Sequence, residues 1–256
     1  MDLLRAFILG VVEGLTEFLP VSSTGHLILA SKLLGVSQDS FTKSFEIAIQ
    51  LGAILAVVYL YFERLTTDFE ALKRVIIAFI PTGLIGFLLY KVVKNFLLGN
   101  DMVVVASLIL GGLVLLFIDR VMVGFVKIDD VKNLSYVKAM VIGLFQSIAM
   151  IPGVSRSAST IIGGMFVGLT RKSATEFSFL LAIPTMVTAT FYDLYKSAGS
   201  FSLSNWQALI VGFVTSFVTA FFAVKWFISY VSNNNFVPFG VYRIILGIFY
   251  ILSTVR

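Results

Sequence analysis

Glu13 and Glu17 stand four residues apart in VVEGLTEFLP, so on a helix their carboxylates share one face. Paired carboxylates of that kind suit a hard cation such as Mg²⁺ or Ca²⁺ through oxygen ligands, and without a cation they form an acid–base pair whose members raise each other's pKa. Directly after them, FLPVSSTGH supplies Ser22, Ser23, Thr24 and His26, the chain's lone histidine. Hydroxyls there can cap a new helix, and the free N–H groups of that helix start also form a site for an anion. Ser23 and His26 are three residues apart, close enough on a helix to pair a nucleophile with a base, or to make His26 itself the nucleophile. A second stretch, MIPGVSRSAST, brings Ser155, Arg156 and Ser157. An Arg fork, hydroxyls, helix N-termini and carboxylates for a divalent cation together describe a site for phosphate or diphosphate. Gln50, in the otherwise apolar IAIQLGAIL, is a further candidate for the same site, with a helix–helix hydrogen bond as its alternative role.

The elements that carry these residues belong to a membrane protein. Of the 256 residues, 58% are hydrophobic and 13% charged, and the mean hydropathy is +0.98; a soluble domain carries roughly twice that share of charge. The composition excludes an ordinary soluble protein and a disordered chain. With no Cys there is no disulfide, thiolate nucleophile or thiolate-bound metal. The net charge of +5 reads as basic loops facing anionic lipid, because no Lys/Arg stripe interleaved with aromatics suggests nucleic acid. Asp2, Glu13 and Glu17 break up the first apolar run, which is expected to remain in the protein and not to act as a signal peptide.

Apolar runs of about 20 residues predict spanning helices at 44–62, 76–98, 102–119, 174–195, 206–231 and 238–254. Two more segments, about 3–34 and 139–169, are split at FLPVSSTGH and MIPGVSRSAST. Each half is too short to cross alone, so each segment is expected to enter and leave by one face as a re-entrant hairpin. The two are copies. Gly10 over Gly143, an offset of 133, sets Val21–Gly25 over Val154–Ala158 and Gly35 over Gly168, while LILGGLVLL answers IILGIFYIL at an offset of 136. Under that alignment Arg156 replaces Ser23, and Gln146 and Met150 replace Glu13 and Glu17. The predicted fold is an all-α integral membrane protein: one membrane domain over 1–256, built of two inverted-topology repeats (1–125 and 134–256), each a re-entrant helix hairpin plus three transmembrane helices. Three crossings is an odd number, so the second copy is inverted, and such pairs put a polar site between the halves. A thin excess of Lys and Arg on the side reached after the first crossing predicts both termini and the first hairpin outside the cytoplasm.

EGLTEFLPVSSTGH at 13–26, FEIAIQLGAILAV at 45–57 and PGVSRSAS at 152–159 closely resemble the undecaprenyl-diphosphate phosphatase family, bacterial membrane enzymes associated with bacitracin resistance. The resemblance runs along essentially the whole chain. It implies hydrolysis of the terminal phosphate of undecaprenyl diphosphate, recycling the lipid carrier of peptidoglycan synthesis. It further implies metal or acid–base roles for Glu13 and Glu17, chemistry at Ser23 and His26, a phosphate grip by Arg156, and a Mg²⁺ or Ca²⁺ requirement. The site would face outward from the bacterial cytoplasmic membrane. Expected partners are the polyprenyl diphosphate and membrane lipid, with a homodimer left open and nucleic acid excluded. The rival function is a lipid-phosphate flippase or transporter using the same anion site; it would need no Ser–His pair beside carboxylates.

Overall fold

The computed structural model describes residues 1–37, 39–93, 97, 99–122, 124, 128–197 and 205–254. Among these residues eleven α-helices follow in order: α1 Leu3–Thr16, α2 Ser23–Leu33, α3 Ser40–Leu60, α4 Phe62–Thr67, α5 Phe69–Val92, α6 Asp101–Val121, α7 Tyr136–Ser147, α8 Arg156–Phe166, α9 Arg171–Ser197, α10 Trp206–Asn233 and α11 Val237–Thr254. Among the described residues no β-strand forms, and Ile128 and Leu169 make an isolated bridge. An all-helical answer is what lipid requires of an open chain, since each helix satisfies its own backbone.

Among the described residues, five helices are long and apolar enough to cross a membrane: Ser40–Leu60, Phe69–Leu89, Asp101–Val121, Arg171–Tyr195 and Trp206–Asn233. The sixth expected span corresponds to α11, whose apolar stretch Val237–Leu252 is shorter. The expected 76–98 span starts earlier than hydropathy suggests, at Phe69, because the charges at its head are paired within the helix. Glu70 accepts from Lys73 at 2.9 Å and from Arg74 at 2.7 Å. Residues 94–96 and 98 of that expected span, Lys94 among them, lie outside the described residues. Capping sets the starts of other helices: Asp39 accepts from Thr42 N (2.8 Å), Asn100 from Met102 N (3.1 Å) and Asn205 from Ala208 N (3.3 Å).

The two segments split by proline are not continuous helices. α1 and α2 are separated by residues 17–22, and α7 and α8 by residues 148–155. At 1.5 Å per residue the 14-residue α1 extends roughly 21 Å and the 11-residue α2 and α8 roughly 16 Å, short of a ~30 Å hydrocarbon core. α2 and α8 are built alike. A serine, Ser22 or Ser155, caps each start, and each ends at a glycine with positive φ, Gly35 at +62° and Gly168 at +103°. The following N–H groups return to matching carbonyls, Val36 N to Ser31 O and Leu169 N to Gly164 O, both 2.9 Å. These are Schellman closures, which a residue with a Cβ would strain.

Packing also comes in couples. α1 lies on α10 while α7 lies on α5; α3 packs on α10 while α9 packs on α5; α6 meets α11 and α3 meets α9. The α1–α10 and α7–α5 contacts close because glycines let backbones touch. A Cβ on Gly10 would stand 2.7 Å from Gly212 O, and one on Gly143 would overlap Ala78 O. Small residues serve membrane helices in this way because packing, not the hydrophobic effect, joins them. Gly143→Ala should therefore destabilise the protein by at least about 1–3 kcal/mol. Gly83→Ala, the same change in α5 where a Cβ meets only the Phe79 ring at 3.5 Å, should be tolerated. Thermal unfolding in detergent distinguishes the two.

Candidate active site

The breaks between α1 and α2 and between α7 and α8 meet, and the first is satisfied from the second half of the chain. The serines of the second break reach carbonyls after α1: Ser157 Oγ donates to Phe18 O at 2.7 Å, and Ser155 Oγ donates at 3.4 Å to Leu19 O, which also accepts from Val21 N at 2.8 Å. At their junction lies a cavity of about 740 Å³, lined by Glu13, Glu17, Ser22, Ser23, Thr24, Glu46, Gln50, Ser155 and Arg156. Eight of the residues singled out from sequence thus share one space. Ser157 does not join them: it is fully buried and committed to the Phe18 carbonyl. His26 also stands outside the lining set.

Glu17 is the hub. Its Oε2 accepts from Ser23 Oγ at 2.5 Å, and its Oε1 accepts from Arg156 Nη2 at 3.0 Å. Arg156 also donates through Nη1 to Ser178 O at 3.2 Å and lies over the Phe18 ring, 5.4 Å from its centroid. Its Nε–H is buried with no partner in the protein. Ser23 and Arg156 are each the first residue of their helix, so both sit at the positive end of a helix dipole.

The Ser23–His26 pair expected from their spacing does not form. The His26 ring is held at both nitrogens: Nδ1 is 2.8 Å from Ser22 O, and Nε2 is 2.6 Å from Tyr242 OH, with the two rings nearly parallel at 7°. A carbonyl can only accept, so Nδ1 carries the proton and, in the neutral ring, Tyr242 donates to Nε2. The carbonyl that His26 holds belongs to a strained residue. Ser22 has φ +72° and ψ +92°, a conformation costing a non-glycine residue on the order of 1–3 kcal/mol. The sharp turn at Ser22 swings Ser23 back to Glu17.

Glu13 is buried at 2% exposure, and its Oε2 has no hydrogen-bond partner in the protein. Among the described residues no group of three or more His, Asp and Glu side chains converges closely enough to hold an ion unaided. Gln146, in the position that matches Glu13, has become structural: its Nε2 donates to Thr82 Oγ1 (2.9 Å) and Thr185 Oγ1 (3.0 Å). Three residues of this region were not picked out from sequence. Glu46 lines the cavity, Tyr242 holds His26, and Arg243 is buried behind both breaks. The signal was present, since an acid in FEIAIQ and an arginine in VYRIILG are charges inside apolar runs.

The family described as "Bacitracin resistance protein BacA" matches residues 6–249. The chain belongs to this family. Relatives named undecaprenyl-diphosphatase align along nearly their whole length. That of Aquifex aeolicus is 61% identical over 246 residues, 96% of either chain. Those of Wolinella succinogenes and Thermus thermophilus are 56% and 50% identical, covering 98% of this chain and 98% and 97% of theirs. With its apolar helices, this makes the chain a multi-pass membrane protein.

The geometry separates a buried hydroxyl from one on the cavity wall. Ser157→Ala leaves the Phe18 carbonyl unpartnered in a dry place and should cost about 1–3 kcal/mol. Thr24→Ala, exposed on the cavity wall, should leave the unfolding temperature unchanged.

Proposed function

We propose that the chain is an undecaprenyl-diphosphatase. It hydrolyses undecaprenyl diphosphate to undecaprenyl phosphate and inorganic phosphate, returning the carrier to peptidoglycan synthesis and giving bacitracin resistance. Relatives of that name match over nearly their whole length, and the observation that carries the chemistry is one carboxylate, Glu17, hydrogen-bonded to both Ser23 and Arg156.

In the proposed reaction Ser23 Oγ attacks the terminal phosphorus and the bond to the bridging oxygen breaks, releasing undecaprenyl phosphate. Glu17 takes the Ser23 proton across their 2.5 Å hydrogen bond and passes it to the departing monophosphate. Water then attacks the phosphoserine and its proton returns to Ser23 through Glu17, freeing phosphate. Arg156 steadies the charge on the transferring group, with its unpartnered Nε–H as the donor available to a phosphoryl oxygen. His26 acts on the reaction by positioning: it holds the strained Ser22 peptide, and this engagement at both ring nitrogens favours Ser23 over His26 as nucleophile. Ser22, Thr24, Gln50 and Ser155 line the substrate's path.

A divalent cation, Mg²⁺ or Ca²⁺, fits this set of residues. Glu13 offers a buried, unpartnered carboxylate oxygen, and Glu17 is one helical turn away. Such ions commonly keep waters and substrate phosphates among their ligands and need few from protein. Bound there, the ion would offset the charge of the diphosphate against Glu13, Glu17 and Glu46.

The proposed architecture is two inverted repeats, 1–125 and 134–256, each with a re-entrant hairpin (α1–α2, α7–α8) and three crossings. Supporting it are the like-built α2 and α8, the coupled packing of α1 on α10 and α7 on α5, and the coincidence of Gly10 and Gly143 at those contacts. The cavity mouth, with Lys32, Lys43 and Asp101, then faces outward from the cytoplasmic membrane. The cluster of Arg64, Asp68, Asp130, Lys132 and Glu176 faces inward. Homodimerisation is read by the mass of the detergent-solubilised protein.

Phosphate release from undecaprenyl diphosphate by the purified chain is the deciding measurement. Ser23→Ala and Glu17→Gln should abolish it. Arg156→Lys keeps the charge but loses the planar fork and should lower turnover by about 10²–10³-fold. The trapped phospho-enzyme should survive acid, as phosphoserine does and phosphohistidine does not. Full activity in excess chelator would remove the cation from the proposal. Because the chain has no Cys, cysteines introduced at 43, 172 and 196 report orientation directly. Positions 43 and 196 should react with an impermeant reagent from outside, and 172 only from within.

A further inference from the structure

Arg243 lies in the middle of α11 and is 1% exposed. Its hydrogen bonds all run to backbone carbonyls: Nη1 to Pro20 O (3.3 Å), Nη2 to Gly153 O (3.1 Å) and Ser107 O (2.9 Å), and Nε to Leu108 O (3.4 Å). Among the described residues it forms no ion pair. A buried guanidinium without a counter-charge is costly, and this one is accommodated at a specific place. Pro20 and Gly153 are separated by the same 133 residues as Ser23 and Arg156, and each lies three residues before its partner in that second pair. One guanidinium therefore grips equivalent carbonyls of the two breaks and ties both to α6. The neighbouring Tyr242, one residue earlier, holds His26.

We propose that Arg243 is a positioning residue for the phosphatase reaction, setting the distance between Ser23 and Arg156 by holding the Pro20 and Gly153 carbonyls together. The proposal rests on the site assigned above. Ser23 comes from the first break and Arg156 from the second, so the geometry of phosphoryl transfer depends on how the breaks are held against each other. The clamp needs a planar fork, because donors on opposite edges of the guanidinium serve carbonyls of three different segments; an ammonium offers its donors from one atom. It also needs space. A Cβ on Gly111 would run into Arg243 Nη2 and stand 2.8 Å from Cζ, so an alanine there displaces the guanidinium from its acceptors while leaving Arg243 in the chain.

The test uses the full-length chain, purified in detergent, with phosphate release from undecaprenyl diphosphate measured well below each variant's melting temperature. Arg243→Lys and Arg243→Met are compared with Gly111→Ala and with Ser23→Ala. A misplacement of about 1 Å at reacting groups can cost on the order of 100-fold in rate. Arg243→Lys should therefore lose about that much in kcat, with KM within about threefold of the parent. Arg243→Met should melt lower than Arg243→Lys yet show the same reduced kcat, separating turnover from stability. Gly111→Ala should show the same kcat loss, and combining it with Arg243→Lys should cost nothing further. A kcat for Arg243→Lys within about threefold of the parent, or losses that track melting temperature across the Lys and Met variants, would overturn the proposal. If Arg243→Lys does not fold, Gly111→Ala decides alone, and unchanged turnover there overturns it. Ser23→Ala separates the two levels. If it stays active, the site itself is wrong and the proposal falls with it; if it is inactive while Arg243→Lys is normal, only the positioning role fails.

Discussion

Backbone broken at membrane depth has no water to bond with, so each carbonyl freed by a break must find a donor inside the protein. In this chain the donors come from across the molecule. Phe18 O is taken by Ser157, Leu19 O by Ser155, and Pro20 O together with Gly153 O by Arg243. The two broken segments are therefore held against each other, and the carbonyls of the first are satisfied from the second half of the chain. Where they meet, helix starts, hydroxyls and charges gather in one cavity. The same hydrogen bonds that satisfy the breaks also join them.

Charge is distributed unequally between two segments that share a plan. α1 keeps Glu13 and Glu17 where α7 has Gln146 and Met150. Gln146 cross-links Thr82 and Thr185 beside the helix prolines Pro81 and Pro184, a structural use of an amide. Arg156 in turn stands where the first segment has Ser23. The Glu17–Arg156 pair joins these specialisations at 3.0 Å, and breaking such a buried pair by removing one partner is far more costly than the pair's net contribution. The pair holds Glu17, the acceptor of the Ser23 hydroxyl, in place and leaves Arg156 Nε–H without a partner in the protein.

The strained Ser22 shows how local geometry serves the site. Its positive φ is held by the His26 ring bonding its carbonyl and by the N-cap contact from Gly25 N to its own hydroxyl. The residue after that turn, Ser23, donates its hydroxyl to Glu17. Strain of this kind persists only where surroundings over-determine it, and here a second aromatic residue, Tyr242, locks the imidazole that does so.

The amino-acid sequence by itself determined the class of protein and the cast of the site. Composition and run lengths dictate apolar helices, prolines flanked by hydroxyl residues dictate two breaks, and charges costly in lipid mark Glu13, Glu17 and Arg156. With the hydroxyl residues of the two breaks and Gln50, eight of the residues singled out from sequence line one cavity. Only the tertiary structure decided who bonds with whom. Spacing made Ser23 and His26 natural partners, yet the positive φ at Ser22 turns the hydroxyl to Glu17 and leaves His26 to Tyr242, 216 residues away. Ser157 reads like its neighbours in SRSAS but is drawn to the Phe18 carbonyl; Arg243 sits in an unbroken apolar run with no local sign of the four carbonyls waiting for it. Hydropathy and periodicity report how strongly a residue resists lipid and which face of its own helix it shares. The partner that satisfies it is set by helices distant in sequence, and that information exists only once they have packed.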